Sequence, residues 1–163
     1  MAESNLVSEL IARGGVWYNL AGSTPVEAIE AMVRTARLPK DADREALRAS
    51  ILEREALVPT AMGEGIAMPH PRSLFFDDPV KARVAVFFTE HPVEWDAPDG
   101  VPVHVSFLVL SADRDAHLEA LSALSRACGD PAFMGLLGSR PGTEELAAYF
   151  SPANEQIRPV KGA

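Results

Sequence analysis

Two stretches limit what this chain can become more than any others: residues 82–89, ARVAVFFT, and 102–110, PVHVSFLVL. Both are rich in the β-branched and aromatic side chains that pack well on a pleated surface. Neither alternates apolar with polar along its whole length, as a strand with one wet face does. Strands that are apolar on both faces belong in the middle of a sheet covered on both sides. The residues between the two are too few for a crossover helix, so the pair runs antiparallel. The rest of the chain must then supply the covering helices.

It has the signals to do so. A short helix is expected over 5–13 and a short strand over 15–20, GVWYNL. Thr24-Pro25-Val26-Glu27 reads as a helix start, with Thr24 as cap, Pro25 in the first turn and Glu27 closing a capping box. Val26, Ile29, Met32 and Val33 then recur at helical spacing, and the helix should stop near Leu38-Pro39. A second helix runs from Asp41–Asp43 to about Ala56, followed by a loop over 58–65 and a short strand, IAM, at 66–68. Ser111 to Asp113 caps a helix reaching Cys128, which Gly129-Asp130-Pro131 breaks. Two short helices follow, near 131–137 and 143–150. The expected fold is α/β: a mixed parallel/antiparallel central sheet of about five strands with helices on both faces. Residues 1–150 form a single domain, and 151–163 a polar C-terminal tail.

Charge and composition narrow the partners. A net charge of −8 argues against nucleic acid, whose phosphates repel an acidic surface, and leaves room for a basic protein partner. No apolar run approaches the roughly 20 residues that span a bilayer, so membrane insertion is not expected. The start, MAESNLVSEL, lacks the basic and apolar stretches of a signal peptide. The single cysteine, Cys128, excludes an internal disulfide and fits a reducing cytoplasm.

Several polar residues stand where apolar ones are expected. On a helical wheel Leu47, Ile51 and Arg54 fall within about 60° of one another, so an arginine continues an apolar stripe. Either its head snorkels to solvent near the helix end, or its guanidinium waits for an anion. His117 opens a stripe with Leu121, Leu124 and Cys128, in a first turn whose dipole favours anions. It reads either as half-buried structure or as a site residue. His70 lies between Pro69 and Pro71 after a strand, with little backbone freedom. Gly63 and Gly65 allow close backbone approach, and Thr60 offers a hydroxyl. His91 reads as a solvated turn residue. His104, within a strand, is expected to face away from both Val103 and Val105. The four histidines lack H-x-x-x-H, C-x-x-C or H-E-x-x-H spacing, so neither a metal nor another cofactor is expected.

The run REALVPTAMGEGIAMPHPR, residues 54–72, resembles the signature of the fructose/mannitol/nitrogen-type IIA domains of the bacterial phosphotransferase system. Arg54-Glu55, Thr60, Gly63, Gly65, Ile66, Ala67, Pro69 and His70 match in order. Downstream, AHLEALSALSRACGDPAF resembles that family's helix bearing a second active-site histidine, which falls on His117. The resemblance covers about residues 5–150. It departs at Pro71, where the family usually has glycine, and around Pro59-Thr60-Ala61-Met62.

The resemblance implies a phosphoryl carrier. His70 would accept the group from a histidine-containing phosphocarrier protein, with Arg54 and His117 around it. Thr60, the backbone near Gly63 and Gly65, and Arg72 would be further phosphoryl contacts. The group would pass to a IIB domain of a sugar transporter or mark a regulated target protein, such as a kinase or a potassium transport system. The alternative is an interaction module that keeps the fold and the His70 face but is never phosphorylated; Pro71, which has no N–H to offer a phosphoryl oxygen, is the residue in its favour.

Overall fold

The two apolar strands lie where their pattern demands. In the computed structural model, which describes residues 5–152, β4 (Arg83–Val93) and β5 (Val103–Leu110) pair antiparallel with Val86 opposite Phe107. β1 (Val16–Leu20) lies parallel to β4 on one side, and β3 (Ile66–Ala67) parallel to β5 on the other. β2 (Ala61–Gly63) closes the sheet antiparallel to β3, giving the order β1-β4-β5-β3-β2. The mixed five-stranded sheet is the one expected. β2 itself replaces part of the loop expected over 58–65, because three residues ending in glycine carry no readable periodicity. The tail beyond Pro152 lies outside the described residues.

Alternation along the central strands divides the core in two. Val84, Val86 and Phe88 face the same way as Val105, Phe107 and Val109, under α1 (Leu6–Gly14), α4 (Arg114–Cys128), α5 (Pro131–Gly138) and α6 (Thr143–Tyr149). Ala85, Phe87, Leu108 and Leu110 face α2 (Pro25–Thr35) and α3 (Arg44–Leu57). Each buried Val, Leu or Phe contributes about 1.5–3 kcal/mol by leaving water. The strand pair is therefore the anchor of both cores.

The helix starts follow their caps. Thr24 Oγ1 accepts from Glu27 N at 3.1 Å, but the Glu27 carboxylate reaches back to Ser23 N at 2.8 Å rather than to Thr24. α2 stops at Thr35, short of Leu38-Pro39, and Arg44 from the first turn of α3 donates to the carbonyls of Val33 and Ala36. Asp43 and Asp113 cap α3 and α4 through Ala46 N and Ala116 N.

Two strand details differ from expectation. β4 continues through His91 and Pro92 to Val93, with an irregular register after Phe88, so His91 lies on an exposed strand end. Val103 and Val105 belong to opposite cores, so His104 cannot face away from both. The N–H groups of His104 and Val105 both donate to the Gly65 carbonyl, at 2.8 and 3.2 Å. Two residues meeting one in this way shift the phase of the strand. No described helix is long and apolar enough to cross a membrane.

Candidate functional site

The carboxyl ends of parallel strands are where an α/β sheet exposes its connecting loops. β3 and β5 end side by side: Ile66 pairs with Val105, Ala67 with Ser106, and Val109 N donates to Pro69 O at 3.0 Å. That bond carries the register past the short strand and delivers His70 to the end of β5. Met68, Pro69 and Pro71 are buried around it, while His70 is half-buried. Beyond β5, Ser111 turns the chain and Asp113 caps α4, which places His117 in its first turn. The two imidazole rings meet edge to face, with centroids 5.1 Å apart and planes at 62°.

Hydrogen bonds fix the first ring. His70 Nδ1 lies 2.9 Å from Met68 O. A carbonyl can only accept, so Nδ1 carries the proton and Nε2 keeps its lone pair. On His117, Nδ1 lies 2.8 Å from Ser111 Oγ. Burial holds the His70 imidazole below its ordinary pKa and the nearby Arg54 charge adds to this, while the Met68 carbonyl and Glu55 oppose it. Burial and the neighbouring His70 likewise lower His117. Both rings are accordingly neutral at neutral pH.

Arg54 ends α3 within electrostatic reach of His70. Its Nη1 donates to Val58 O at 2.8 Å. The other guanidinium donors have no hydrogen-bond acceptor among the described residues, so the fork is open to an anion. Glu55, next along, faces a different task. Its carboxylate accepts from Thr60 N at 2.7 Å, Thr60 Oγ1 at 2.7 Å and buried Trp95 Nε1 at 2.8 Å. The Thr60 hydroxyl proton is thus spent on Glu55, and Thr60 O accepts from Met68 N at 3.0 Å. Thr60 braces the strand that presents His70 rather than pointing a free donor at it.

Gly63 and Gly65 are not brought to the histidines. They flank the β2–β3 turn at the opposite end of β3, five residues before His70, which is roughly 16 Å of extended chain. Their positive φ values, 104° and 79°, suit glycine. A Cβ on Gly65 would lie 2.3 Å from His104 Nδ1, and one on Gly63 would lie 3.1 Å from an Asp99 carboxylate oxygen. Asp99 also takes the turn's Glu64 N–H at 2.8 Å. These glycines shape a hairpin, and the Glu64 N–H between them is already taken by Asp99. Arg72 lies beside α3: its N–H meets Ser50, and its guanidinium pairs with Glu53 at 3.3 Å on the exposed surface.

Sequence reasoning thus named the three groups that converge, His70, His117 and Arg54. It missed the Met68 carbonyl, Ser111, and the Glu55–Trp95 brace. A tryptophan in the polar run VEWDAPDG was the one available sign that a buried donor needed a partner. His91 and His104 lie away from the pair. Among the described residues, no three His, Cys, Asp or Glu side chains gather as a metal centre. Exposed Leu57, Val58, Leu74 and Leu118 follow closely in the chain after Arg54, Arg72 and His117, giving the segments that carry these polar groups an apolar margin.

Residues 9–152 match the family model described as phosphoenolpyruvate-dependent sugar phosphotransferase system, EIIA 2. The chain is 29% identical to a nitrogen regulatory protein of Pseudomonas aeruginosa, over 86% of this chain and 91% of that one. It is 31% identical to the fructose-specific EIIABC component of Bacillus subtilis over 73% of this chain. That match spans 19% of the larger protein, so the chain covers about a fifth of its length. Among solved structures, the nitrogen regulatory protein IIA-Ntr of Neisseria meningitidis shares the fold with a TM-score of 0.69 at 24% identity, covering 90% of this chain and 99% of that one. The Escherichia coli complex of IIA mannitol with phosphorylated IIB mannitol aligns with a TM-score of 0.57 at 21% identity, over 75% of this chain and 83% of that one.

Proposed function

The chain belongs to the EIIA 2 family of the phosphoenolpyruvate-dependent sugar phosphotransferase system, and from that premise we propose that it is a phosphoryl carrier whose acceptor is His70. The observation that carries this reading is the His70 ring itself. Its Nδ1–H is held by the Met68 carbonyl, Nε2 is bare, and burial keeps the ring neutral. A neutral imidazole with a fixed lone pair is a ready nucleophile.

The donor is the phosphohistidine of a histidine-containing phosphocarrier protein. His70 Nε2 attacks phosphorus in line, the Nε2–P bond forms, and the donor's N–P bond breaks. The donor ring, protonated on its other nitrogen, takes that electron pair and leaves as a neutral imidazole. The proton stays on His70 Nδ1 throughout, hydrogen-bonded to the Met68 carbonyl. A phosphoryl group carries close to two negative charges. The open fork of Arg54 meets part of that charge, and His117 donates a hydrogen bond to a phosphoryl oxygen. The α4 N-terminus behind His117 adds its dipole. Thr60 acts indirectly, by bracing the strand through Glu55, and Arg72 guides anions from the rim. The exposed leucines and Val58 give a protein donor an apolar margin to dock on. The protein acts in the cytoplasm and either hands the group to a IIB domain or displays it to a regulated target protein; its relatives' names support both routes.

The test is labelling with phosphoenolpyruvate and the general phosphotransferase proteins. One phosphoryl group per chain is expected, acid-labile and base-stable as a phosphoramidate is. A chain that binds the phosphocarrier protein yet takes no label from any donor tried would favour the unphosphorylated interaction module instead.

A further inference from the structure

We propose that Ser111 is a positioning residue for phosphoryl transfer: its hydroxyl donates to Nδ1 of His117 and thereby keeps that ring's proton on Nε2, the nitrogen left to meet a phosphoryl group on His70. The assignment rests on the carrier reading above.

Ser111 is 4% exposed and closes β5, where its carbonyl accepts from Phe76 N at 3.4 Å. Its hydroxyl lies 2.8 Å from His117 Nδ1, its one side-chain hydrogen-bond partner among the described residues. A neutral imidazole has a single N–H, so one of two arrangements holds. If Nδ1 carried the proton, the serine oxygen would accept it and the buried O–H would have nowhere to donate. An unsatisfied buried hydroxyl costs more than a hydrogen bond returns. If the serine donates instead, both groups are satisfied and Nε2–H becomes the donor.

The two rings then hold opposite tautomers, each set by a neighbour in its own segment. The Met68 carbonyl leaves His70 with a lone pair for phosphorus. The Ser111 hydroxyl leaves His117 with an N–H for a phosphoryl oxygen. Because burial keeps His117 neutral, this choice of nitrogen decides whether it can donate at all.

The experiment uses the full chain labelled with nitrogen-15. The His117 ring nitrogens are observed in wild type, Ser111→Ala and Ser111→Thr, and each protein is labelled by the phosphocarrier protein. In wild type, Nε2 is expected to be protonated and Nδ1 bare. In Ser111→Ala, the two nitrogens should move toward averaged tautomer values, and labelling should slow on the order of tenfold, the rate equivalent of one hydrogen bond. Ser111→Thr should restore both. A wild type with the proton on Nδ1 overturns the assignment, and so does an alanine variant with unchanged ring nitrogens and labelling. Should the alanine variant not fold, the wild-type tautomer and the threonine variant decide. A wild type that takes no label overturns the carrier reading and this inference with it; a wild type that is labelled, with an alanine variant whose His117 ring nitrogens and labelling are unchanged, overturns Ser111 alone.

Discussion

The two ends of β5 make a controlled comparison. At one end His104 is half-buried beside Gly65, with burial and the Arg140 charge lowering its pKa. At the other end His70 is half-buried, with burial and the Arg54 charge doing the same. By burial and charge the two histidines are near equals. What separates them is geometry. His70 has a pinned Nδ1, a second ring 5.1 Å away and a capped helix pointing its first turn at the pair. His104 has a glycine hairpin packed against Nδ1, and Arg140 is turned to the Thr89 carbonyl and the Phe88 ring. A lowered histidine pKa is therefore a mark of burial, and only the arrangement of partners turns it into a site.

The largest effect should come from removing each histidine in turn. His70→Ala is expected to abolish phosphoryl labelling, whereas His104→Ala should keep it. Label that survives the first change, or is lost in the second, would reverse the comparison.

Gly65→Ala should next separate stability from transfer. A side chain at φ 79° with its Cβ 2.3 Å from His104 should cost about 2–4 kcal/mol, from left-handed strain and overpacking. Thermal unfolding measures that loss. The labelling rate of the folded protein should stay close to wild type, because the hairpin lies at the far end of β3. A slowed rate with unchanged melting would place the glycine turn in the phosphoryl site after all.

His117→Ala should do the opposite. If His117 supports the phosphoryl group as proposed, the change removes a hydrogen bond to a charged group, on the order of 1.5–3 kcal/mol. Borne by the transition state alone, that loss slows transfer roughly ten- to a hundredfold. If it falls on the phosphorylated product, the equilibrium fraction of phosphorylated His70 drops instead. Measuring rate and equilibrium together distinguishes the two, and a variant that merely melts lower would make His117 a core residue.

The smallest effect concerns pH. His70, His104 and His117 all have folded pKa values below the ordinary 6.5. Between the folded values and 6.5 the unfolded chain binds more protons, so acid favours unfolding. Stability should be constant well above 6.5, fall as pH drops through 6.5, and level off below the folded values, as chemical denaturation at several pH values will record. Phosphorylation should raise the His117 pKa, through the new anion beside it, and leave His104 unmoved. Equal shifts at both would erase the distinction between the ends.

Much of this was legible in the chain. Thr24, Asp43 and Asp113 announce their helices because capping is a local bond between near neighbours. The residues 82–89 and 102–110 announce a covered strand pair because burial on both faces leaves a continuous apolar run. His70, His117 and Arg54 could be named from motifs. β2 was not legible, since a three-residue strand exists only by pairing with β3. Nor was the phase of His104, which depends on two β5 N–H groups sharing the Gly65 carbonyl.

The sequence by itself determined the class of fold, the helix starts and the set of residues from which a site could be drawn. Those depend on periodicity and on contacts within a turn or two. Only the tertiary structure decided which members of the set meet. The parallel register of β3 on β5 carried His70 to the end where Ser111 and His117 wait, and left Gly63 and Gly65 at the other. Folding the residues after β4 back against the end of α3 brought Trp95 to Glu55, and so turned Thr60 from a free hydroxyl into a brace. The reason is physical: strand register and long-range hydrogen bonds are chosen by the whole core at once, and no local stretch of chain records that choice.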